Sequence, residues 1–425
     1  MVSTAQHLTD LATELTARGH SVTVLTSDRG YDNPNVRFQR KEQWNGITIL
    51  RIPSLSLGKE RKWRRGLNFG SFLLFCALRL LFLERFDVTL ALTSPPLISF
   101  LAALFVKLKG ARLCCWIMDL NPDEAIAAGW LKSDSWTTRL LQRMLDYSLR
   151  NADQIIVLDR FMKERVLRRT LEGSRLSVIP PWSHSDVVRY SIHCRNAFRA
   201  QHQLSDKFVV MYSGNHSPCH PLDAMLAAAL HLRDREEIVF CFVGGGSEQV
   251  KVRRFAALHE LANVKCLPYQ PLEHLSDSLS AADLHVVVMG DAFVGIVHPC
   301  KIYNIMAIGI PVLYIGPPTS HVTDLASELR DNQFYSASHG DPGRVVESIL
   351  ECANLQANSP HLSSEIAERD NQSAYSKEIL LPKLCALLEP TSYSQQPSLP
   401  SVLSVTNEQE LSNSELLLHP GGKSN

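Results

Sequence analysis

Apolar and polar positions along the chain follow two alternating periods. From residue 4, the segment TAQHLTDLATELTARGH places Leu8, Leu11 and Leu15 on one helical face, and Gly19 ends that helix. The next segment, SVTVLTS, is rich in β-branched residues with polar ends, as expected for a strand buried on both faces. Helix and strand then repeat in this order, which predicts parallel sheets covered by helices on both sides.

The repeats fall into two sets that meet near residue 184, and the length of 425 residues suits two domains. The first set predicts strands at 87–94, 112–119, 154–159 and 175–181, with helices at about 97–108, 135–150 and 160–169. The second predicts strands at 208–214, 238–246, 264–269, 284–290 and 311–316, with helices near 222–233, 248–260, 272–281, 300–308 and 320–328. The predicted fold class is α/β, with two Rossmann-like, doubly wound domains facing across a cleft.

The two ends of the chain depart from this regularity. We expect an N-terminal domain at 1–183 and a C-terminal domain at 184–370. A C-terminal helix is predicted at 371–390, and whether it returns to the first domain is left open. The tail at 391–425 is rich in Ser, Pro, Gln and Asn, which predicts disorder. At the start, the first helix has no strand ahead of it, although the first strand of such a domain normally lies mid-sheet. This suggests a truncated or mis-started reading frame.

Charge is distributed unevenly between the two halves, although Lys+Arg and Asp+Glu both total 43. Residues 1–183 carry a balance of +9, and the remainder carries −9. A net charge of zero gives no support to bulk nucleic-acid binding. A basic first half indicates an anionic partner such as a membrane surface or a charged substrate, with ordinary solvated surface charge as the alternative.

The most apolar stretch, at 69–83, has 15 residues and includes Arg79, so it is shorter than the roughly 20 residues needed to cross a bilayer. The segment before it holds Lys62, Trp63, Arg64 and Arg65. Basic residues, a Trp and an apolar helix together predict contact with an anionic membrane surface. The alternative is a buried helix behind a solvated loop.

Ten cysteines are scattered along the chain without a CxxC pair or a Cys/His spacing typical of zinc sites. This pattern favours a reduced, cytoplasmic protein over a disulfide framework, and we expect no structural metal.

Glycine-bearing turns follow three predicted strands of the second domain. They contain Gly214, the run Gly244, Gly245 and Gly246, and Gly290. Glycines let the backbone approach a phosphate, and the following helix offers free N–H groups. A nucleotide site is therefore predicted there. The sequence holds neither GxGxxG nor a Walker motif, which argues against a dehydrogenase or an ATPase.

Lys301 begins a predicted helix that points to the same strand ends. A lysine at a helix start opposes the helix dipole, so a nearby anion explains it better than helix stability does. A surface lysine without a partner is the alternative.

Several segments together resemble the GT-B glycosyltransferases of the family 4 type, in particular the fucosyl- and N-acetylfucosaminyl-transferase-like members encoded with exopolysaccharides and O-antigens. The resemblance spans roughly residues 4 to 325 and is carried by TAQHLTDLATELTARGHSVTVLTS, YSGNHSPCHPLD, FVGGGSE, LPYQPLEHL, SAADLHVVV and HPCKIYNIMAIGIPVL. It implies a second domain that binds a nucleotide-diphosphate sugar and a first domain that holds the acceptor.

The resemblance also implies roles for individual residues. Asn215 and His220 stand where many members carry an Arg and a Lys facing the diphosphate, and Asn304 stands where a glutamate usually contacts the ribose. With those cations absent, we expect Lys301 to supply the main charge, aided by His220 or His298 when protonated. Further donor-site candidates are Tyr269, Gln270 and Tyr303, and Asp119 borders the acceptor side.

The implied activity is retaining glycosyl transfer to a glycan, expected to be polyprenyl-linked, on the cytoplasmic face of the membrane. No cofactor is expected besides the nucleotide-sugar substrate, and no divalent metal at the phosphates, because no carboxylate cluster accompanies them. Two alternatives remain: a sugar-nucleotide epimerase on the same fold, and a truncated, non-catalytic remnant that binds donor.

Overall fold

The computed structural model describes residues 3–30, 36–55, 62–170, 172–184, 188–192, 196–329, 333–358, 374–389 and 401–405. The chain forms two compact units. Unit 1 comprises Met1–Pro180 and Leu381–Asn425, and unit 2 comprises Pro181–Leu380.

Unit 1 alternates helices and strands much as the hydrophobic pattern predicts. Its helices are α1 (Ser3–Ala17), α2 (Lys62–Leu81), α3 (Ile98–Lys109), α4 (Asp123–Ala127), α5 (Trp136–Arg150) and α6 (Arg160–Thr170). Its strands are β1 (Ser21–Ser27), β2 (Lys41–Trp44), β3 (Ile47–Ile52), β4 (Val88–Ala91), β5 (Arg112–Trp116), β6 (Gln154–Val157) and β7 (Leu176–Val178). The hairpin β2–β3 was not predicted, although Asn45 and Gly46, with φ of 46° and 81°, are a strong hairpin signal.

Unit 2 is equally regular. Its helices are α7 (Ala197–Gln201), α8 (Asp223–His231), α9 (Gln249–Leu258), α10 (Leu275–Ser280), α11 (Lys301–Ile308), α12 (His321–Leu325) and α13 (Pro342–Asn358). Its strands are β8 (Phe208–Asn215), β9 (Ile238–Gly245), β10 (Val264–Leu267), β11 (Leu284–Val288), β12 (Val312–Ile315) and β13 (Phe334–Ala337). A last helix, α14 (Lys377–Leu388), begins in unit 2 and ends in unit 1.

The tail corrects one prediction. Residues 391–425 were expected to be disordered, but Ser401–Val405 forms a strand, β14, within the sheet of unit 1. The remainder of the tail lies outside the described residues.

The sheet of unit 1 has the strand order β2-β3-β1-β14-β4-β5-β6-β7. Only the β2–β3 pair is antiparallel, and β14 pairs in parallel with both β1 and β4. Strands β4 and β5 are almost wholly buried, which explains why their sequences read as continuous apolar runs.

The sheet of unit 2 is wholly parallel in the order β10-β9-β8-β11-β12-β13. When the strands of unit 2 are numbered from 1 to 6 along the chain, their order in the sheet is 3-2-1-4-5-6. This is a doubly wound arrangement, as predicted from the sequence. Large side chains such as Phe240 and Phe242 are completely buried between sheet and helices. The order reverses between β8 and β11, and open sheets of this kind bind ligands beyond the strand ends at such a reversal.

Candidate functional site

The turn after β8 contains the glycines that the sequence singled out. Gly214 lies directly opposite Gly244 in the β8–β9 register, and the two have φ of +127° and +129°. A Cβ on Gly244 would collide with the carbonyl oxygen of Gly214, and a Cβ on Gly246 would collide with that of His216. Only glycine avoids both the strain and the collision, so close backbone packing requires these two residues.

Lys301 reaches the same turn from α11. Its Nζ lies 3.5 Å from the ring centroid of Tyr212 and would be 3.3 Å from a Cβ on Gly214. The Nζ is buried and has no hydrogen-bond partner among the described residues. Burial lowers the pKa of Lys301 from 10.5 to about 7. A buried, unpaired ammonium of this kind is costly unless an anion joins it.

The histidines around Lys301 do not supply the charge expected of them. His220 Nδ1 lies 2.7 Å from the carbonyl oxygen of Val288, and burial, with a smaller effect of Lys301, lowers the pKa of His220 to about 3. The same two causes lower the pKa of His216 to about 4. Burial lowers that of His285 to about 4 as well. All three imidazoles are neutral at pH 7, which corrects the expectation that a protonated His220 assists Lys301.

Backbone contacts hold the first turn against the end of β11. Gly290 N donates to the carbonyl of Cys219 at 2.8 Å, and Tyr212 OH donates to that of Asn215 at 2.8 Å. The turns after β8 and β11 are therefore fixed to each other at the reversal of strand order, with the lysine Nζ beside them.

His298 is placed in an aromatic stack. Its ring lies 3.8 Å from that of His321, and its Nε2 lies 2.8 Å from the hydroxyl of Tyr303. His298 and Tyr303 are both buried. The structure thus shows contacts that position His298, while its catalytic role stays a prediction.

The remaining donor-site candidates lie on the same side of unit 2. The half-exposed Tyr269 ring packs on Gly245 and donates its hydroxyl to the carbonyl of that residue at 3.2 Å. Gln270 donates to its own loop, at the carbonyl of Pro268. Asn304 Oδ1 accepts from the backbone N–H of His184 at 2.9 Å, so this oxygen positions residue 184, while the predicted ribose contact of Asn304 stays a prediction.

Asp119 follows β5 in unit 1. Its backbone N–H donates to Thr93 Oγ1 at 3.2 Å. Burial, with the Glu124 carboxylate as the smaller cause, raises the pKa of Asp119 to about 7. By contrast, Asp123 binds Arg169 through both carboxylate oxygens, at 2.7 and 2.8 Å. A raised pKa in a carboxyl group is typical of functional positions, and Asp119 therefore remains the acceptor-side candidate.

The predicted membrane contacts are only partly described. The side chains of Lys62, Trp63 and Arg65 lie outside the described residues, and Arg64 is half-buried. Among the described residues, no helix is both long enough and apolar enough to span a bilayer.

Sequence reasoning missed Tyr212, whose buried ring faces the Lys301 ammonium. Its position two residues before Gly214 is a signal, because alternate residues of a strand share one face. The contact itself depends on where α11 lies.

Comparisons with known proteins agree with the two-domain α/β fold. Residues 4–182 match the model of the glycosyl transferase 4-like domain, and residues 195–359 match that of glycosyl transferases group 1. The chain is 28% identical over 312 residues to a putative colanic acid biosynthesis glycosyl transferase, WcaI, of Escherichia coli (strain K12), covering 69% of this chain and 75% of the relative. It is 25% identical over 308 residues to a probable glycosyltransferase, WbjE, of Pseudomonas aeruginosa, covering 72% and 75%.

Among solved structures, the chain is similar to Anabaena HepE in complex with UDP and glucose. The TM-score is 0.66 at 15% sequence identity, over 90% of this chain and 95% of that one. At this identity the likeness concerns the fold alone.

Replacing Gly244 by alanine should destabilise unit 2 by about 2–4 kcal/mol, because the new Cβ meets backbone and the residue keeps a positive φ. Urea unfolding followed by the fluorescence of Trp182, the single tryptophan of residues 181–380, would measure this. The matched control is Gly340→Ala, where nothing lies within 4 Å of an added Cβ. Equal stability of the two variants would contradict the packing role.

Replacing Lys301 by methionine should stabilise the unliganded protein. The folded pKa, about 7, lies below the ordinary value of 10.5, so the cost of the charge is fully present below pH 7 and fades as pH rises to about 10.5. The gain at pH 6 should be on the order of 3 kcal/mol and should shrink towards pH 10. Lys251→Met, in which an exposed lysine loses its Asp223 partner, should not stabilise. A Lys301→Met protein no more stable than wild type at pH 6 would rule out a buried ammonium.

Proposed function

Because the chain belongs to the GT-B glycosyltransferases of the family 4 type, we propose that it transfers a sugar from a nucleotide-diphosphate sugar to a glycan acceptor during synthesis of a cell-surface polysaccharide. The observation that supports the donor side is the buried Nζ of Lys301, which lies beside the Gly214 turn and has no hydrogen-bond partner in the described part of the chain. The names of relatives, one assigned to colanic acid biosynthesis, support a polysaccharide product. HepE, which binds UDP and glucose, supports a UDP-sugar as the first donor to test.

In this proposal the donor diphosphate lies at the turn of Gly214 and Asn215, where its oxygens accept from backbone N–H groups and from the ammonium of Lys301. The anion raises the lysine pKa again, so donor binding draws a proton onto Nζ near neutral pH. As the glycosidic bond to phosphate breaks, negative charge grows on the leaving diphosphate. A fixed cation at that point is worth about 3 kcal/mol in the transition state.

We further propose that the reaction retains the anomeric configuration and needs no divalent ion. The bond from the anomeric carbon to the phosphate oxygen breaks, and the acceptor oxygen bonds to the same carbon from the same face. The proton of the acceptor hydroxyl passes to the leaving phosphate oxygen. Lys301 then has the charge-neutralising task that a metal performs in other transferases.

The acceptor side of the proposal rests on unit 1. Asp119, whose pKa is raised by burial, would hold an acceptor hydroxyl by a hydrogen bond. A polyprenyl-linked acceptor requires the enzyme to reach the inner face of the membrane, so the proposal includes peripheral membrane association from the cytoplasm.

An exposed apolar stripe on α2 supports that association. Phe72, Cys76 and Leu80 face the core of unit 1, yet the opposite side of the helix is also apolar. We define the α2 stripe as the exposed side chains Leu67, Leu74, Phe75, Leu78 and Leu81 of α2, together with Phe82 directly after the helix, which is 82% exposed.

The sequence around the α2 stripe is strongly basic. Residues 59–112 hold ten Lys or Arg residues and three Asp or Glu residues. A helix that is apolar beyond its core face, within a basic segment, is suited to the boundary between acyl chains and anionic headgroups.

Donor binding should depend on Lys301. Calorimetry at low salt with UDP-, GDP- and dTDP-sugars should find one nucleotide class that binds, and Lys301→Met should weaken it by about 10- to 100-fold, the value of a charge-assisted hydrogen bond. Lys251→Met serves as the control and should bind like wild type.

The pH dependence gives an independent check. Wild-type affinity should fall from pH 6.5 to 8.5, as the free lysine loses its proton above about pH 7, and the Lys301→Met protein should show no such fall. Unchanged affinity in that variant, or no donor bound by the folded protein, would overturn the assignment.

Vesicle binding should depend on the α2 stripe. The double variant Leu74→Gln/Leu78→Gln should weaken binding to phosphatidylserine-containing vesicles, measured by co-sedimentation, by about 30-fold, because about 2 kcal/mol of apolar burial is lost. The control Val250→Gln/Leu258→Gln removes two residues of unit 2 that are 69% and 74% exposed. If both double variants bind vesicles equally, the α2 stripe is not the membrane surface.

A further inference from the structure

The sheet of unit 1 is completed at its centre by a strand from the far end of the chain. β14 pairs with β1 over five residue pairs, from Ser21↔Ser401 to Leu25↔Val405. It pairs with β4 over four, from Val402↔Val88 to Val405↔Ala91. In the doubly wound order this central place belongs to the first strand of a domain, and unit 2 follows that rule with β8. In unit 1, β14 occupies the place between β1 and β4.

Unit 1 would be strongly destabilised if no strand lay between β1 and β4. Val24, Leu25, Leu90 and Ala91 of the two neighbouring strands are all at most 1% exposed. Without β14, the facing N–H and C=O groups of β1 and β4 would lose their partners inside the core. Each unsatisfied buried group is destabilising, and the effect accumulates along the strand edges.

The course of the chain brings the tail to the correct edge of the sheet. Glu389 follows α14, and its carboxylate lies 3.3 Å from Arg18 Nη1 and 3.3 Å from His20 Nε2. His20 directly precedes β1, whose first residue, Ser21, pairs with the first residue of β14, Ser401. The chain therefore leaves α14 at the edge where β14 starts, and the eleven residues 390–400 can span up to about 36 Å.

The local sequence of the tail suits a central strand. Residues 401–405 read SVLSV, which contains three apolar residues, two of them β-branched, and no proline. Pro400 precedes the first strand residue, where a missing N–H costs little. The polar composition of the surrounding tail hides this short segment in any average over a long window.

We propose that the place between β1 and β4 is a strand-acceptor site, which must hold a parallel apolar segment for unit 1 to keep its sheet, and that Ser401–Val405 of the same chain is the occupant. The C-terminal tail is then an integral part of unit 1. The proposal rests on sheet topology alone and does not depend on the glycosyltransferase reaction.

Hydrogen exchange of the full chain, followed by mass spectrometry, tests the proposal directly. Amides of residues 402–405 should exchange at least tenfold more slowly than the same amides in an isolated peptide of residues 399–407, because paired amides exchange only on opening. Exchange of 402–405 at the rate of an unprotected chain would overturn the proposal, with no variant needed.

A proline substitution provides the second arm. Leu403→Pro removes a central ladder donor, and the midpoint of thermal unfolding of unit 1 should fall by about 6–12 °C. Exchange should accelerate in β1 and β4 but not in β8 and β9 of unit 2. The matched control is Leu411→Pro, the same change eight residues further on, which should leave both units unaltered. Equal behaviour of the two variants would overturn the proposal.

Addition in trans separates loss of the occupant from general misfolding. A synthetic peptide of residues 399–407, LPSVLSVTN, added to the Leu403→Pro protein should restore slow exchange in β1 and β4, while the same peptide with proline at the position of Leu403 should not. If protection of 402–405 in the wild type instead rises with protein concentration together with a dimer, the occupant is the tail of a second copy and the same-chain assignment is wrong.

Discussion

Backbone hydrogen bonding in a parallel sheet covered on both faces is the constraint on which the rest of this structure depends. Water does not reach such strands, so each N–H and C=O needs a neighbouring strand. In unit 2 the strands that supply these partners all come from one continuous stretch of the chain, and β8 lies at the centre of the sheet. Unit 1 meets this requirement through β14, which arrives from 374 residues beyond the end of β1 and pairs on both sides. The same requirement thus produces a local solution in one unit and a long-range one in the other.

The reversal of strand order in unit 2 creates the chemistry of the site. It leaves the carboxyl ends of β8 and β11 beside each other, and the Gly290 N–H bond to Cys219 fixes their turns together. Glycine at 244 permits the close approach of the two glycine turns. Into this arrangement α11 brings the Nζ of Lys301, buried and without a hydrogen-bond partner among the described residues. The buried charge lowers the stability of the unliganded protein, and the proposed donor diphosphate would offset that cost, a common exchange at functional sites.

The charge of the site comes from one group. His216, His220 and His285 surround the lysine, and their pKa values lie near 4, 3 and 4. Because these imidazoles stay neutral, they do not compete with the lysine for an anion or repel its ammonium. His216 also packs against Tyr212, with ring centroids 4.9 Å apart. Among the described residues around this turn, Lys301 is therefore the group that can carry positive charge.

The sequence by itself determined the α/β class, most helices and strands of both units, the glycine turns and the candidacy of Lys301, because hydrophobic period and glycine placement are local signals. Tertiary structure decided three further points. The neutral state of His220 follows from burial and from its contact with the Val288 carbonyl, which no local pattern reveals. The use of Asn304 Oδ1 by His184 depends on a loop 120 residues away. The strand at 401–405 lies in a polar tail whose composition predicts disorder. Its parallel pairing with β1 on one side and β4 on the other outweighs the weak local preference of five residues.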